Sequence, residues 1–239
     1  MREPSKTRRV LRIVLTVALL FLLIPAAVIL CIRMGGRVYY AASVLTIFIT
    51  MVPFLLSFER RRPQAREIVT IAVLCALAVA SRAAFIAIPH FKPMVAIIML
   101  TGIALGPEAG FLTGAVSGFV SNFLFGQGPW TPWQMFAFGV AGFLAGGLYR
   151  LRILPRDRLS LALFGFVSVV LVIGPLLDTC TLFTVSAGVG GSSAAAIYLA
   201  GIPVNLIHGV ATFLTMLLFS KPLLEKLDRL KLKYGMMED

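Results

Sequence analysis

Long apolar runs separated by short polar segments dominate this chain of 239 residues. A helix needs about 20 consecutive apolar residues to cross a hydrocarbon core about 30 Å thick. The pattern therefore predicts eight transmembrane helices, although the fourth and sixth are short and the fourth and fifth could instead form a re-entrant pair. The predicted spans are residues 11–32, 37–58, 67–88, 91–106, 109–126, 134–149, 159–185 and 194–220.

The alternative for the first run is a cleaved signal peptide. Residues 11–32 are too long for the apolar segment of such a peptide, and the run has no clear small-x-small cleavage site. We therefore interpret this run as a transmembrane helix.

The composition also indicates an integral membrane protein. Hydrophobic residues make up 59% of the chain, charged residues make up 13%, and the mean hydropathy is +0.95. Soluble domains are about 45–50% apolar and about 25% charged. We predict an all-α integral membrane protein, with a basic N-terminus and a two-helix hairpin in residues 1–62 and a six-helix core with a basic cytoplasmic tail in residues 63–239.

The formal net charge of +12 would suit a nucleic-acid-binding protein, but its distribution does not. Eighteen of the 22 basic residues fall on one side of the predicted spans, which the positive-inside rule makes cytoplasmic. Both termini are then cytoplasmic. The basic residues lie beside membrane lipid, which is their expected partner, and no nucleic-acid partner is expected. The residues on this side are Arg2, Lys6, Arg8, Arg9, Arg12, Arg60, Arg61, Arg62, Arg66, Arg150, Arg152, Arg156, Arg158, Lys221, Lys226, Arg229, Lys231 and Lys233.

The uncharged stretch GQGPWTPWQM, residues 126–135, holds both tryptophans of the chain and falls on the opposite, outer side. Two interpretations stay open: an interfacial aromatic belt at headgroup depth, or a lid over a ligand. Pro129 and Pro132 would restrict the loop to few conformations and so reduce the ordering cost of binding. The side chains that would contact a ligand are Gln127, Trp130, Thr131, Trp133 and Gln134.

Polar residues inside the predicted spans fall at mid-depth or in the outer half of the bundle. Such groups are costly in a bilayer and tend to face a bundle interior or a cavity. Their common depth below the outer loop predicts a pocket that opens outward. The residues are Arg82, Asn122, Asp178, Asn205 and His208.

Each of these polar residues also has a purely structural interpretation. Arg82 and Asp178 could form an ion pair, and His208 could be a hydrogen-bonded packing residue. Asn122 and Asn205 could hold helices together through interhelical hydrogen bonds. The sequence leaves both interpretations open.

Small residues recur every four positions along three stretches of the predicted bundle, a spacing that lets helix backbones approach closely in lipid. The alanines of the third span lie about 200° around the helix from Arg82. If Arg82 faces a pocket, these alanines face lipid or another protein, whereas we expect the glycines to pack helices inside the bundle. The alanines are Ala72, Ala76, Ala80 and Ala84, and the glycines are Gly102, Gly106, Gly110, Gly114, Gly118, Gly142 and Gly146.

Sequence motifs for ATP hydrolysis or catalysis are missing from the chain. There is no GxxxxGK[ST], no HExxH and no GxSxG. Asp178 is the only acidic residue well inside a span, which gives little basis for coupling to protons or sodium. No metal or cofactor is expected, because the cysteines lie in apolar runs without ligand spacing. These cysteines are Cys31, Cys75 and Cys180.

Residues 67–220 resemble the substrate-specific membrane component, or S component, of energy-coupling factor (ECF) vitamin transporters. The resemblance rests on a six-helix core, on the alanine stripe of its first helix, and on the segment FKPMVAIIMLTGIALGPEAGFLTGAVSGFVSNFLFGQGPWTPWQMFAFGVAGFLAGGLY. It covers about two thirds of the chain. The two helices at 11–58 are additional to the usual six-helix core, and the sequence assigns them no role.

The resemblance implies a protein that captures a vitamin or related micronutrient and then associates with a transmembrane coupling subunit and two ATP-binding subunits. It also implies that the alanine stripe contacts the coupling subunit and that loops 87–93 and 126–134 help to close the pocket. Arg82 or Lys92 would meet a carboxylate or phosphate on the solute. The first expectation for that solute is a corrinoid such as cobalamin, followed closely by other water-soluble vitamins.

Two alternatives from other functional classes stay open. An intramembrane enzyme would use Arg82, Asp178 and His208, although the sequence shows no nucleophile–base pair and no metal-ligand spacing. A membrane accessory subunit would bind no solute at all. We predict a solute-binding subunit that catalyses no reaction.

Overall fold

The computed structural model describes residues 38–60, 63–185 and 191–235, and within these ranges the chain is helical without any strand. The prediction of an all-α protein is confirmed, while the first predicted span, 11–32, lies outside the described residues. The helices are α1 (Val38–Arg60), α2 (Ala65–Ala84), α3 (Met94–Leu105), α4 (Pro107–Phe125), α5 (Thr131–Arg150), α6 (Arg158–Ser168), a π-helical turn (Val169–Ile173), α7 (Gly174–Val185) and α8 (Gly191–Tyr234).

Within the described ranges, three helical segments are long and apolar enough to cross a membrane. They are Ala65–Ala84, Arg158–Thr184 and Ala194–Tyr234. The second of them is the predicted span 159–185, which runs from α6 through the π-helical turn into α7 without leaving the helical path.

Glycine contacts bring α3, α4 and α5 together at backbone distance. A methyl group built on Gly142 of α5 would overlap the carbonyl oxygen of Gly110 on α4, and one on Gly102 of α3 would overlap the carbonyl oxygen of Gly142. Gly146 meets the backbone of Gly102 and Pro107 in the same way. The expectation that the glycines pack helices inside the bundle is confirmed.

Helix α3 is shorter than the span predicted for residues 91–106. It has 12 residues, all of them buried, and at 1.5 Å per residue it is about 18 Å long. This length is well below a hydrocarbon core of about 30 Å. Gly106 alone joins it to α4, with a φ of 95° that a residue with a side chain rarely adopts. The pair α3–α4 is therefore a short central helix that reverses into a longer one.

Helix α1 packs against the core although the sequence assigned it no role. Its Phe54 ring stacks on Phe111 of α4, with centroids 4.1 Å apart, and meets the edge of Phe143 of α5 at 4.9 Å. Phe54 is 3% exposed. The additional helix is thus fixed to the same α4–α5 pair that the glycines hold together.

Helix α8 continues well past residue 220, where the predicted span ended. Leu224 is buried in this extension, and Asp228 pairs with Arg156 from the α5–α6 connection. Arg66, in the first turn of α2, donates a hydrogen bond to the carbonyl oxygen of Tyr234 at 2.8 Å. The basic tail is therefore a helical extension that is tied to two other parts of the chain.

The glycine contacts generate a test of the fold. Gly142→Ala should destabilise the protein by about 1–3 kcal/mol, the usual cost of overpacking a tight core, because the added methyl group meets backbone atoms that cannot move aside. Thermal unfolding of the purified protein in detergent measures the effect. Gly209→Ala is the matched control, since its methyl group would meet only side-chain atoms, at 3.0 Å. Equal unfolding midpoints for the two variants would contradict the packing argument.

Candidate solute-binding site

Two loops lie at the same end of the bundle, which we call the distal end. They are residues 85–93, between α2 and α3, and residues 126–130, between α4 and α5. The Phe85 and Phe91 rings of the first loop lie 5.1 Å apart. His90 in this loop has a φ of 60°, a left-handed conformation that is uncommon for a residue with a side chain. The polar residues predicted from the sequence lie below these loops.

Arg82, in the last turn of α2, is almost fully buried at 3% exposure. Its Nη1 atom donates hydrogen bonds to Ser121 Oγ and to Asn122 Oδ1, the latter at 3.1 Å. The guanidinium carbon lies 4.3 Å from the centroid of the Phe125 ring, a cation–π distance. Arg82 therefore has neutral partners on α4, all presented by one face of that helix.

A chain of hydrogen bonds connects this arginine to loop 126–130. Asn122 Nδ2 donates to Thr131 Oγ1 at 3.1 Å, and Thr131 Oγ1 donates to Gln127 Oε1 at 2.9 Å. The Thr131 hydroxyl also accepts from the Gly128 amide at 3.2 Å, which uses its full hydrogen-bonding capacity. Gln127 Nε2 in turn donates to the Phe119 carbonyl at 3.0 Å. The loop is thus fastened to the buried cation.

Lys92 reaches the same aromatic ring from the other loop. Its Nζ atom lies 5.6 Å from the Phe125 centroid. Burial, with a further contribution from the positive charge of Arg82, lowers the pKa of Lys92 to about 8. Two cationic side chains from different elements therefore lie against one aromatic ring.

Asp178 and Asn205 form a second polar pair between α7 and α8. Asn205 Nδ2 donates to Asp178 Oδ2 at 2.7 Å. The backbone of Gly201 packs so closely on this carboxylate that a methyl group there would overlap it. In the described part of the chain Asp178 and Arg82 form no ion pair with each other, so the structural alternative considered for them is not what the fold contains.

The two tryptophans occupy different environments. Trp133 lies in the first turn of α5 and is only 2% exposed, with its ring stacked on Phe183 of α7 at 5.6 Å. Trp130 is 41% exposed, and its Nε1 atom donates to the Gly126 carbonyl at 3.3 Å. Only Trp130 is placed to cover the distal end, while Trp133 lines the space between α5 and α7.

Several buried polar atoms in the distal half of the bundle have no hydrogen-bond partner within the described residues. Buried polar groups are normally paired, so each such atom requires an explanation, and a bound solute is one. His208, on α8, lies in the same region of the bundle as Arg82 and Lys92. The unpaired atoms are Arg82 Nε, Trp133 Nε1, Gln134 Oε1 and His208 Nε2.

The alanine stripe lies on the opposite side of α2 from Arg82, as its spacing predicted. All four alanines are exposed, and apolar residues beside them, including Val73 and Leu77, are exposed too. The stripe consists of Ala72, Ala76, Ala80 and Ala84.

Comparison with known proteins identifies the class that this architecture represents. The apolar helices define a multi-pass membrane protein. A family model described as the ECF-type riboflavin transporter, S component, matches residues 63–225. The chain therefore belongs to the S components of ECF transporters, the substrate-binding membrane subunits that work with a T subunit and ATPase subunits. No curated protein and no solved structure gives a significant match.

The family also bears on the enzymatic alternative. S components are transporter subunits rather than enzymes. Within the described ranges there is no group of three or more His, Cys, Asp or Glu side chains that could hold a metal ion. Asp178 is bonded to Asn205 and forms no dyad with His208.

Sequence reasoning missed three residues that shape the site. Ser121 and Phe125 contact Arg82, and Phe183 stacks on Trp133. Helical spacing could have indicated Ser121 and Phe125 as a pair. Residues four positions apart lie on the same face of a helix, and Phe125 follows Ser121 by four. No comparable signal marked Phe183, since its pairing depends on how α7 packs against α5.

The environment of Lys92 generates a test that needs no ligand. An ordinary lysine has a pKa near 10.4, whereas a pKa of about 8 leaves the Lys92 amine increasingly neutral and nucleophilic above pH 8. Acylation of Lys92, followed by mass spectrometry across pH, should therefore show a midpoint near 8.

The charged and titratable groups near Lys92 on other elements are Arg82 from α2 and His208 from α8. Arg82→Gln should raise the midpoint only in part, because burial is the larger cause of the lowered pKa. A wild-type midpoint near 10 would show that Lys92 is fully hydrated instead.

Proposed function

We propose that the chain captures a flat heterocyclic vitamin of the riboflavin type at the distal end and presents it to its transporter partners. The observation that supports this most directly is the set of unpaired polar atoms beside aromatic rings: Arg82 Nε, Trp133 Nε1, Gln134 Oε1 and His208 Nε2. These atoms come from three helices, α2, α5 and α8. A ring system with carbonyl and nitrogen groups at its edges would pair with such atoms while its faces contact Trp133 and Phe125.

The name of the matching family favours riboflavin over the corrinoid expected first from the sequence. The family match lends no support to a corrinoid. The fused ring of riboflavin is flat, and its polyhydroxyl chain offers further groups for Asp178 and Asn205. We therefore take riboflavin as the first compound to test.

Docking of the coupling subunit is the second part of the proposal. The exposed alanines of α2 form a smooth surface on which another helix could approach closely. This surface lies on the far side of α2 from Arg82, so a partner helix would not cover the solute. With the basic residues on the cytoplasmic side, both termini are inside and the distal loops face outward.

Riboflavin binding tests the proposed solute. Titration of the purified protein should quench the flavin emission saturably as the ring stacks on aromatic side chains. If Trp130 covers the bound ring, Trp130→Ala should weaken binding roughly 10- to 100-fold, since full burial of a large apolar side chain is worth about 1.5–3 kcal/mol. Trp130→Phe should retain most of the affinity.

Phe123→Ala is the matched control for this experiment. Phe123 is an aromatic residue near the distal end of α4, but at 68% exposure it faces away from the site, so its loss should leave affinity unchanged. Wild-type affinity in Trp130→Ala would assign that residue to an interfacial belt. A co-purified solute of another class, with no riboflavin binding, would exclude the flavin assignment, and absence of any solute would favour an accessory subunit.

The docking surface has its own test. The double variant Ala76→Trp with Ala80→Trp should abolish solute uptake by cells while leaving solute binding intact, because the indole rings hold a partner helix away from α2. The control pair is Leu163→Trp with Val167→Trp, which places the same two indole rings on an exposed face of α6. Normal uptake with the alanine variants, or equal loss with the control pair, would refute the docking assignment.

A further inference from the structure

Resting on the proposed function, we propose that Arg82 and Lys92 act together as a subsite for one anionic group of the solute, a carboxylate or a phosphate. The two side chains come from α2 and from loop 85–93, and both lie against the Phe125 ring. The proposed flat heterocycle would then bind more tightly when it carries an acid group than when it is neutral.

The first support is the absence of a counter-charge within the described residues. Asp178 is the only described carboxylate in the distal half of the bundle, and it is bonded to Asn205. The other described carboxylates lie near helix ends or connections at the opposite end of the bundle: Glu59, Glu67, Glu108, Asp157, Glu225 and Asp228.

The second support is burial. Arg82 is 3% exposed, and its protein partners are a hydroxyl, an amide oxygen and an aromatic ring. Removing a charge from water without an opposite charge nearby is expensive. A second cation brought to the same ring adds repulsion, so an anion between the two would relieve both costs.

The third support is the unused donor. Arg82 Nε is buried and has no partner, although a guanidinium holds five N–H donors in a fixed plane. Carboxylates and phosphates pair with arginine through two parallel hydrogen bonds. Because Arg82 Nε has no partner, it remains available to donate one of these two bonds to an anion. Lys92 supplies a mobile point charge from the loop, which suits an anion that enters from the distal end.

Inorganic phosphate is the first probe, because it tests the subsite without any ring. In a detergent that contains no phosphate, millimolar phosphate should raise the thermal unfolding midpoint of the wild type saturably. The shift should be lost in Arg82→Gln and in Lys92→Gln. Lys92 lies in a loop, so the second variant remains informative if the first fails to fold. Lys226→Gln, which removes an exposed lysine at the far end of α8, is the control and should respond like the wild type. Equal shifts in all of these proteins would overturn the subsite.

Riboflavin and flavin mononucleotide are the second probe, since they differ only by one phosphate group. We expect the phosphorylated form to bind roughly 10- to 100-fold more tightly to the wild type, the range expected of charge-assisted hydrogen bonds, and this preference to disappear in Lys92→Gln. Equal or weaker binding of the phosphorylated form, unchanged in Lys92→Gln, would overturn the subsite but leave the proposed function intact. Binding of neither flavin, with a normal phosphate response, would reject the flavin and keep the subsite.

A lipid headgroup is another source of phosphate at this depth, and the medium distinguishes it from the solute. In phosphatidylcholine nanodiscs the response to inorganic phosphate should persist, because an anion from solution would reach Arg82 and Lys92 from the distal end rather than from the surrounding lipid. Loss of the response in nanodiscs, with the response intact in detergent, would assign the anion to lipid instead.

Discussion

Backbone contact at glycine positions holds α3, α4 and α5 closer than helices with side chains can approach. Gly102, Gly110 and Gly142 each place a Cα where a methyl group would overlap the backbone of a neighbouring helix. Lipid tails are as apolar as the helix side chains, so the hydrophobic effect does not drive transmembrane helices together. Close van der Waals packing of this kind supplies the attraction between them instead. The polar site depends on this arrangement, since α4 carries the residues that hold Arg82 and α5 carries Trp133 and Gln134.

The site is assembled from elements that are far apart in sequence but fixed at one end of this glycine-packed core. Arg82 reaches α4 from α2, Lys92 reaches the same ring from a loop, and Thr131 ties the beginning of α5 to both. Asn205 and Asp178 form a second polar pair, between α8 and α7. Under the proposed function, a solute would meet cations and an aromatic ring near Arg82 and the Asp178–Asn205 pair elsewhere, so charge and stacking together would set its orientation.

Hydrophobic runs predicted most of the helices from residue 38 onward, because burial in lipid leaves a strong and simple pattern. Two helix boundaries differ from this pattern. Helix α5 begins at Thr131 rather than at residue 134, because Pro132 is well suited to the first turn of a helix. Helix α8 continues to Tyr234, beyond the apolar run, as a partly buried helix. The polar residues were found because they are rare in spans. Their partners were not, since the contact between Arg82 and Ser121 depends on the register of α2 against α4, which no single-helix pattern encodes.

The length of α8 has a mechanical consequence. Its 44 residues extend about 66 Å at 1.5 Å per residue, so one helix carries both Asn205, which is hydrogen-bonded to Asp178, and Asp228, which pairs with Arg156 of the α5–α6 connection. Tilting such a helix by about 5° around its middle moves each end by about 3 Å. Pro203 and Pro222 lie inside it and confine bending to two places. The stretch between them is therefore a straight segment, and a displacement of α8 near Asn205 would be carried along it toward Pro222.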